Sequence, residues 1–214
     1  MDPSSIPSTE ELLTVGALVQ LHDGSHVRIR PSRPDDQDLL RRGFERLSAE
    51  SRYKRFLVPM PELTESMVRY LTEIDHHDHE AIVALDEESG EGVGVARYVR
   101  SPGRPDAAEA AVTVVDDWQG RGLGTVLLGV LTERAREEGI STFTALLLGT
   151  NAEMLDLLGR LDPVRVIDRE QGTVEVEIAL REVGLAPALG KLLRVIARSD
   201  IAVPLAERPS VKIS

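Results

Sequence analysis

The sequence contains no cysteine. That removes disulfides, thiolate metal sites and a cysteine nucleophile from the chemistry open to the chain. It also lacks any apolar run approaching the roughly 20 residues a membrane-spanning helix needs, so no helical span is expected and the chain reads as soluble. Its first residues, Met1-Asp2-Pro3-Ser4-Ser5, have neither the basic stretch nor the apolar segment of a secretory leader. Positive charge is in deficit: 25 Lys and Arg against 36 Asp and Glu give a net charge of −11 and a pI near 5.0. A phosphate backbone is repelled by that balance, which argues against nucleic acid, whereas a cationic amine or a lysine-rich surface is drawn in. A bacterial-type cytoplasm is the expected compartment, with no membrane contact.

What is present is globular, with 42% hydrophobic and 29% charged residues. A chain of 214 residues suits one domain with tails. Residues 1–16 read as a Ser- and Pro-rich arm, with Ser8 and Glu11 spaced as a capping box. Asp23-Gly24 between two short apolar runs predicts a hairpin. Pro34 opens a helix through about Arg46, and Ser48 and Thr64 stand as N-caps of two shorter helices. Strands follow over 81–85, 93–99 and 108–115, then a helix from Leu123 stopped by Gly139. A strand over 142–148, a helix over 151–161 and strands over 164–167 and 174–180 complete a mixed α/β (α+β) order. Leu185, Leu189, Leu192, Leu193 and Ile196 mark an amphipathic helix within a C-terminal segment, 183–214, which leaves 17–182 as the domain.

The informative segment is Val114-Val115-Asp116-Asp117-Trp118-Gln119-Gly120-Arg121-Gly122-Leu123-Gly124-Thr125. It runs from a strand through three alternating glycines into a helix. Glycines let backbone N–H groups approach a ligand, and a helix N-terminus adds free donors and a positive dipole end, so the segment predicts an anion cradle. A P-loop needs Gly-Lys-Ser/Thr, and the dinucleotide fingerprint needs glycine at 125, where Thr125 stands; neither fits. The plainer alternative is a tight strand-to-helix turn.

Gln119-Gly120-Arg121-Gly122-Leu123-Gly124 resembles the acyl-CoA signature of the GNAT superfamily, Q/R-x-x-G-x-G/A, in full. Ile29-Arg30-Pro31, the stretch Leu47 to Phe56, and Asp75-His76-His77-Asp78-His79-Glu80-Ala81 resemble the bacterial protein lysine acetyltransferase branch. The resemblance spans roughly Val27 to Leu180. It implies a single GNAT-type domain on a twisted, mixed, mostly antiparallel sheet flanked by helices. It further implies acetyl-CoA, or a related acyl-CoA, as co-substrate and an amine as acceptor, a protein lysine first. A homodimer is a common assembly of the family.

By the same resemblance, amides from Gly120 to Thr125 hold the pyrophosphate, the main chain of Val114 and Val115 lines the pantetheine, and Asn151 contacts the cofactor arm. For Asn151 a helix cap is the alternative. Glu109, on a strand face with Ala111, Thr113 and Val115, is the candidate general base, since that branch uses a glutamate at this point; a solvated strand-end carboxylate is the alternative. Gly122→Asp is expected to weaken the cofactor far more than the fold. Met154-Leu155-Asp156-Leu157-Leu158-Gly159 lacks the tyrosine that commonly protonates the leaving thiolate, so no general acid is assigned. Leu161-Asp162 stands where Gly-Phe is common. His76, His77 and His79 are read as a polar loop, no metal being expected. Trp118 is expected to pack beside the glycine turn. A small-amine acetyltransferase and a non-catalytic acyl-CoA sensor remain as alternatives, which turnover with an amine panel separates.

Overall fold

The computed structural model describes residues 16–159 and 164–181. The capping box at Ser8, the pair Leu161-Asp162 and the segment around Leu185 lie outside the described residues. Strands β1 (Ala17–Gln20) and β2 (His26–Pro31) form the expected hairpin. It turns at Gly24, whose φ of +89° only glycine adopts without strain. A single 3-10 turn at Pro34–Asp36 then leads into α1 (Gln37–Glu45), so the helix expected from Pro34 begins in a tighter winding. Asp36 explains the change. Its carboxylate accepts the Arg33 N–H at 2.8 Å and takes both ends of the buried Arg30 guanidinium at 2.7 and 2.6 Å, which fixes the chain's entry into α1.

Helices α2 (Ala49–Phe56) and α3 (Glu65–Thr72) start where their caps predict. Ser48 Oγ accepts the Ser51 N–H at 3.1 Å, and Thr64 Oγ1 accepts the Met67 N–H at 3.3 Å. The meander β3 (His79–Asp86), β4 (Gly92–Ser101) and β5 (Arg104–Val114) follows, then α4 (Leu123–Glu137), β6 (Thr142–Leu148), α5 (Ala152–Gly159), β7 (Arg165–Glu170) and β8 (Thr173–Ala179). They make one eight-stranded sheet in the order β1-β2-β3-β4-β5-β6-β8-β7. Every pairing is antiparallel except β5 with β6.

Helix α4 covers one face, and Leu123 and Leu127 press on β4 where Gly94 leaves room: a Cβ there would lie 2.9 Å from Leu127 Cδ1. Helices α1 to α3 cover the other face, where Leu39, Phe44 and Phe56 meet Val83, Val95 and Thr113 around a cavity of about 90 Å³. The core is mainly aliphatic, with Val27, Ile82, Leu127, Leu131 and Ile178 wholly enclosed beside the aromatic Tyr98 and Phe143.

A charged network lies under the end of α4. Glu80 is fully buried, and its carboxylate takes Arg134 Nε at 3.1 Å and His76 Nδ1 at 2.7 Å. Arg134 also donates to His76 O at 2.8 Å and pairs with Glu138. The three neighbouring imidazoles diverge: His76 bonds Glu80, His77 bonds Glu138 and His79 meets Arg97. No group of three or more acidic or imidazole side chains converges as metal ligands do among the described residues. Removing one partner of such a buried pair strands the other charge. Arg134→Met should therefore cost about 3–5 kcal/mol in urea unfolding, with partial recovery on adding Glu80→Gln. A loss below about 1 kcal/mol would mean that the network contributes nothing special.

Candidate active site

The parallel contact between β5 and β6 is short. Only Ala107, Ala108 and Glu109 pair across it, with Thr142, Phe143 and Thr144. Beyond Glu109 the strands part, although β6 stays paired with β8 to its end at Leu148. Val115 N–H donates to Val93 O at 3.1 Å, so the main chains of the odd residues of β5 turn toward β4. Those of Ala110, Val112 and Val114 turn into the gap. The sheet thus carries a wedge-shaped opening lined by main-chain groups that no neighbouring strand pairs, Val114 O among them taken by the Gln119 side chain.

The wedge widens into a cleft of about 620 Å³. Val112 and Val114 line it from one strand, Leu146 and Leu147 from the other, and the starts of α4 and α5 close its wide end. Glu109 lines the same cleft from the last paired position of β5 and is exposed. The alternatives of a strand-end carboxylate in water and one in a cleft are both realised there.

The glycine turn passes through a short 3-10 turn, Asp116–Trp118, before α4. Gly120 and Gly122 have φ of +73° and +88°, the left-handed region in which a side chain is strained. Gly120, Gly122, Leu123, Gly124 and Thr125 all line the cleft, and the first-turn amides of α4 have no intrahelical partner by geometry. The glycine turn thus presents backbone to the cleft. Its side chains serve the fold: Arg121 stacks over the Trp118 ring at 4.6 Å and donates to Asp117 O at 2.7 Å, while the Leu123 side chain is core. Trp118, 8% exposed, packs beside the turn as expected.

Other residues depart from expectation. Val115 does not offer its main chain to the cleft, because its N–H serves Val93 and its carbonyl accepts the Trp118 N–H at 2.9 Å; strand parity gives that place to Val112 beside Val114. Gln119 spends its amide locally, donating to Val114 O at 3.0 Å. Gly124 is demanded first by packing, since a Cβ there would meet Leu157 Cδ2 at 3.2 Å. A Cβ on Gly122 would lie 2.9 Å from the His22 ring. Gly122→Asp therefore damages fold and cradle together and cannot separate them.

Asn151 caps α5, its Oδ1 accepting the Met154 N–H at 3.2 Å, and it also lines the cleft. No tyrosine is among the described residues lining the cleft; Met154, Asp156, Leu157 and Leu158 come from α5. The sequence reading missed Ala110 and Val112, whose main chains turn into the gap, and Arg55, which lines both the cleft and the cavity behind it.

Asp116 fastens α2 to the turn. Partial burial would raise its carboxyl, but hydrogen bonds from Ser48 and Ser51 hold it below the usual range. A parted parallel pair, a strand-turn-helix glycine cradle at its mouth and helices over the opposite face form one arrangement, and residues 42–161 match the Acetyltransferase (GNAT) family. The chain belongs to that family. It is 34% identical over 169 residues to Acetyltransferase Pat of Mycolicibacterium smegmatis, covering 79% of this chain and 50% of that protein. Acetyltransferase PA5475 of Pseudomonas aeruginosa is 37% identical over 151 residues, 67% of this chain and 81% of the relative. The crystal structure of the GNAT domain of S. lividans PAT superposes with a TM-score of 0.70 at 35% identity, over 77% of this chain and 96% of that one. The chain thus spans half the length of the mycobacterial relative.

Proposed function

We propose that the chain transfers an acetyl group from acetyl-CoA to an amine, with a protein lysine as the preferred acceptor and Glu109 as general base, within a catalytic domain at 17–182. The observation that supports the reading is the wedge: strand groups that no neighbouring strand pairs, the glycine turn and Glu109 all line one cleft. In this assignment amides from Gly120 to Thr125 hold the pyrophosphate, and Val112 and Val114 meet the pantetheine amides as a neighbouring strand would. Asn151, already capping α5, borders the arm.

Direct attack fits the layout. A lysine amine near pKa 10.4 must lose a proton before it attacks the thioester carbonyl, which costs roughly 4–5 kcal/mol at neutral pH unless a base accepts that proton. Glu109 stands at the apex of the wedge to accept it. Attack gives a tetrahedral adduct with a protonated nitrogen; as the carbonyl re-forms, the C–S bond breaks and that nitrogen gives its second proton to solvent, from which the thiolate takes one. Names of relatives at 34% and 37% identity support acetyl transfer, and the likeness to the S. lividans PAT domain supports a similar catalytic layout.

Thiol release from acetyl-CoA with an amine panel tests the proposal, and tight CoA binding without turnover on any amine would favour the sensor reading. With a net charge of −11, kcat/KM for a cationic lysine peptide should fall several-fold between about 0.05 and 0.3 M salt as the field is screened. Activity confined to an uncharged small amine, flat in salt, would overturn the lysine preference.

A further inference from the structure

Arg97 lies in β4, in the alternation Val95, Arg97, Val99, on the sheet face that α1 to α3 cover. It is 7% exposed. Its guanidinium meets His79 Nε2 at 3.2 Å and donates to Leu71 O at 3.3 Å, neither of them a carboxylate. Arg55, from α2, reaches the same cavity and lies 5.1 Å from the Phe56 ring centroid. Neither arginine has a carboxylate within ion-pair distance among the described residues. The one acidic residue lining that cavity, Asp36, is taken by Arg30 and the Arg33 N–H.

Two cations facing one apolar-walled cavity is a costly arrangement, because each loses hydration and repels the other. The strain shows in the ionisation of Arg97: burial first, then the charge of Arg55, bring its pKa down from the usual guanidinium range to about 9. Burial likewise lowers Arg55, with Glu109 acting in the opposite sense through its charge. The molecule as a whole is acidic, so this pair of cations without a carboxylate at ion-pair distance runs against the sign of the chain.

The pocket also opens toward the reaction. Arg55, Phe56 and Thr113 line both the cavity and the acetyl-transfer cleft. Arg97 pairs in register with Ala111, and Val99 with Glu109, so Arg97 and Glu109 are diagonal neighbours on one sheet face. Such neighbours stand roughly 7–8 Å apart. A guanidinium fork matches a carboxylate, planar and small enough for a cavity of about 90 Å³.

We propose that Arg55 and Arg97 form an anion subsite that binds a carboxylate of the acceptor, so that the amine presented to Glu109 comes from a molecule with a carboxylate a few bonds away. That carboxylate belongs either to a free amino acid or to an acidic residue next to the acceptor lysine in a peptide. The inference rests on the acetyl-transfer reading for its reaction but on the two arginines for its specificity.

The test compares acceptors that differ in one charge. Rates of thiol release are measured for L-lysine against its methyl ester, and for a lysine peptide with glutamate beside the lysine against the same peptide with glutamine. A charge-assisted contact of this kind gives a preference of roughly 10–100-fold in kcat/KM for the carboxylate form. The pair that shows it identifies the source. In Arg97→Met and in Arg55→Met the ratio within each pair should collapse toward one. Thermal unfolding separates subsite from scaffold: Arg97→Met should melt at or above wild type, because a buried unpaired charge is replaced by an apolar chain of similar reach. Should Arg97→Met fail to fold, Arg55→Gln carries the ratio test.

Calorimetry of the same four compounds with CoA present supplies a readout that needs no turnover. Turnover on both members of each pair at equal kcat/KM overturns the subsite and leaves acetyl transfer standing. Carboxylate-dependent binding that Arg97→Met removes, without turnover on any amine, supports the subsite and overturns the acetyl-transfer reading. Neither turnover nor carboxylate-dependent binding overturns both.

Discussion

Glu109→Gln should leave acetyl-CoA affinity intact while kcat/KM at neutral pH falls by roughly 10²–10⁴-fold. The substitution keeps the shape of the side chain and removes the proton acceptor. Glu109 is exposed at the apex of the wedge and takes part in no ion pair within 4.0 Å among the described residues, so little of the fold depends on its charge. Melting temperature should move by no more than a surface substitution moves it. The pH dependence gives the sharper test. As pH rises toward the lysine value of about 10.4, more acceptor arrives already neutral and the missing base matters less, so the two profiles should converge. A variant with wild-type kcat/KM at neutral pH would remove Glu109 from the mechanism. One that also lost CoA binding would make the residue a part of the scaffold.

Thr125→Glu is expected to lower CoA affinity by about 10²-fold with stability unchanged or slightly raised. Thr125 is exposed in the first turn of α4 and lines the cleft. A carboxylate there meets the free amides and the positive dipole end, which favours the helix by up to about 1 kcal/mol. The same carboxylate occupies the ground proposed for the pyrophosphate and would repel it; like charges a few ångströms apart near a protein surface cost several kcal/mol at most. Fold and cradle are thereby separated, as Gly122→Asp cannot do with its φ of +88° and the His22 ring against it. Calorimetric titration with CoA beside a thermal melt decides the matter. Unchanged affinity in the folded variant would move the pyrophosphate elsewhere.

Much of this was legible in the sequence because it is written locally. Ser48 and Thr64 cap their helices by bonds spanning three residues, and the strand over 142–148 begins and ends where its apolar run does. The glycine turn was legible for the same reason. The wedge was not, since it depends on where a parallel pair stops, and nothing in β5 or β6 alone says that pairing ends after Glu109 and Thr144. Val115 was misassigned for want of one bit of parity, namely which residues of β5 face β4. Arg97 did leave a signal: period two places it between Val95 and Val99, an arginine on an apolar face. Arg55 left none, because only the packing of α2 on the sheet brings it to the same cavity.

The parting of β5 from β6 leaves an edge in the middle of a sheet, and an edge of this kind is unfinished structure. A ligand whose amides pair with Val112 and Val114 behaves there as a borrowed strand, contributing hydrogen bonds that no neighbouring strand of the chain supplies. Folding and cofactor supply are then linked by mass action: at a hundred times its dissociation constant such a ligand adds about 2.7 kcal/mol to the free energy of unfolding. A cell short of the cofactor would hold not only an idle enzyme but a looser one, more open to proteolysis along the strands that bound the gap.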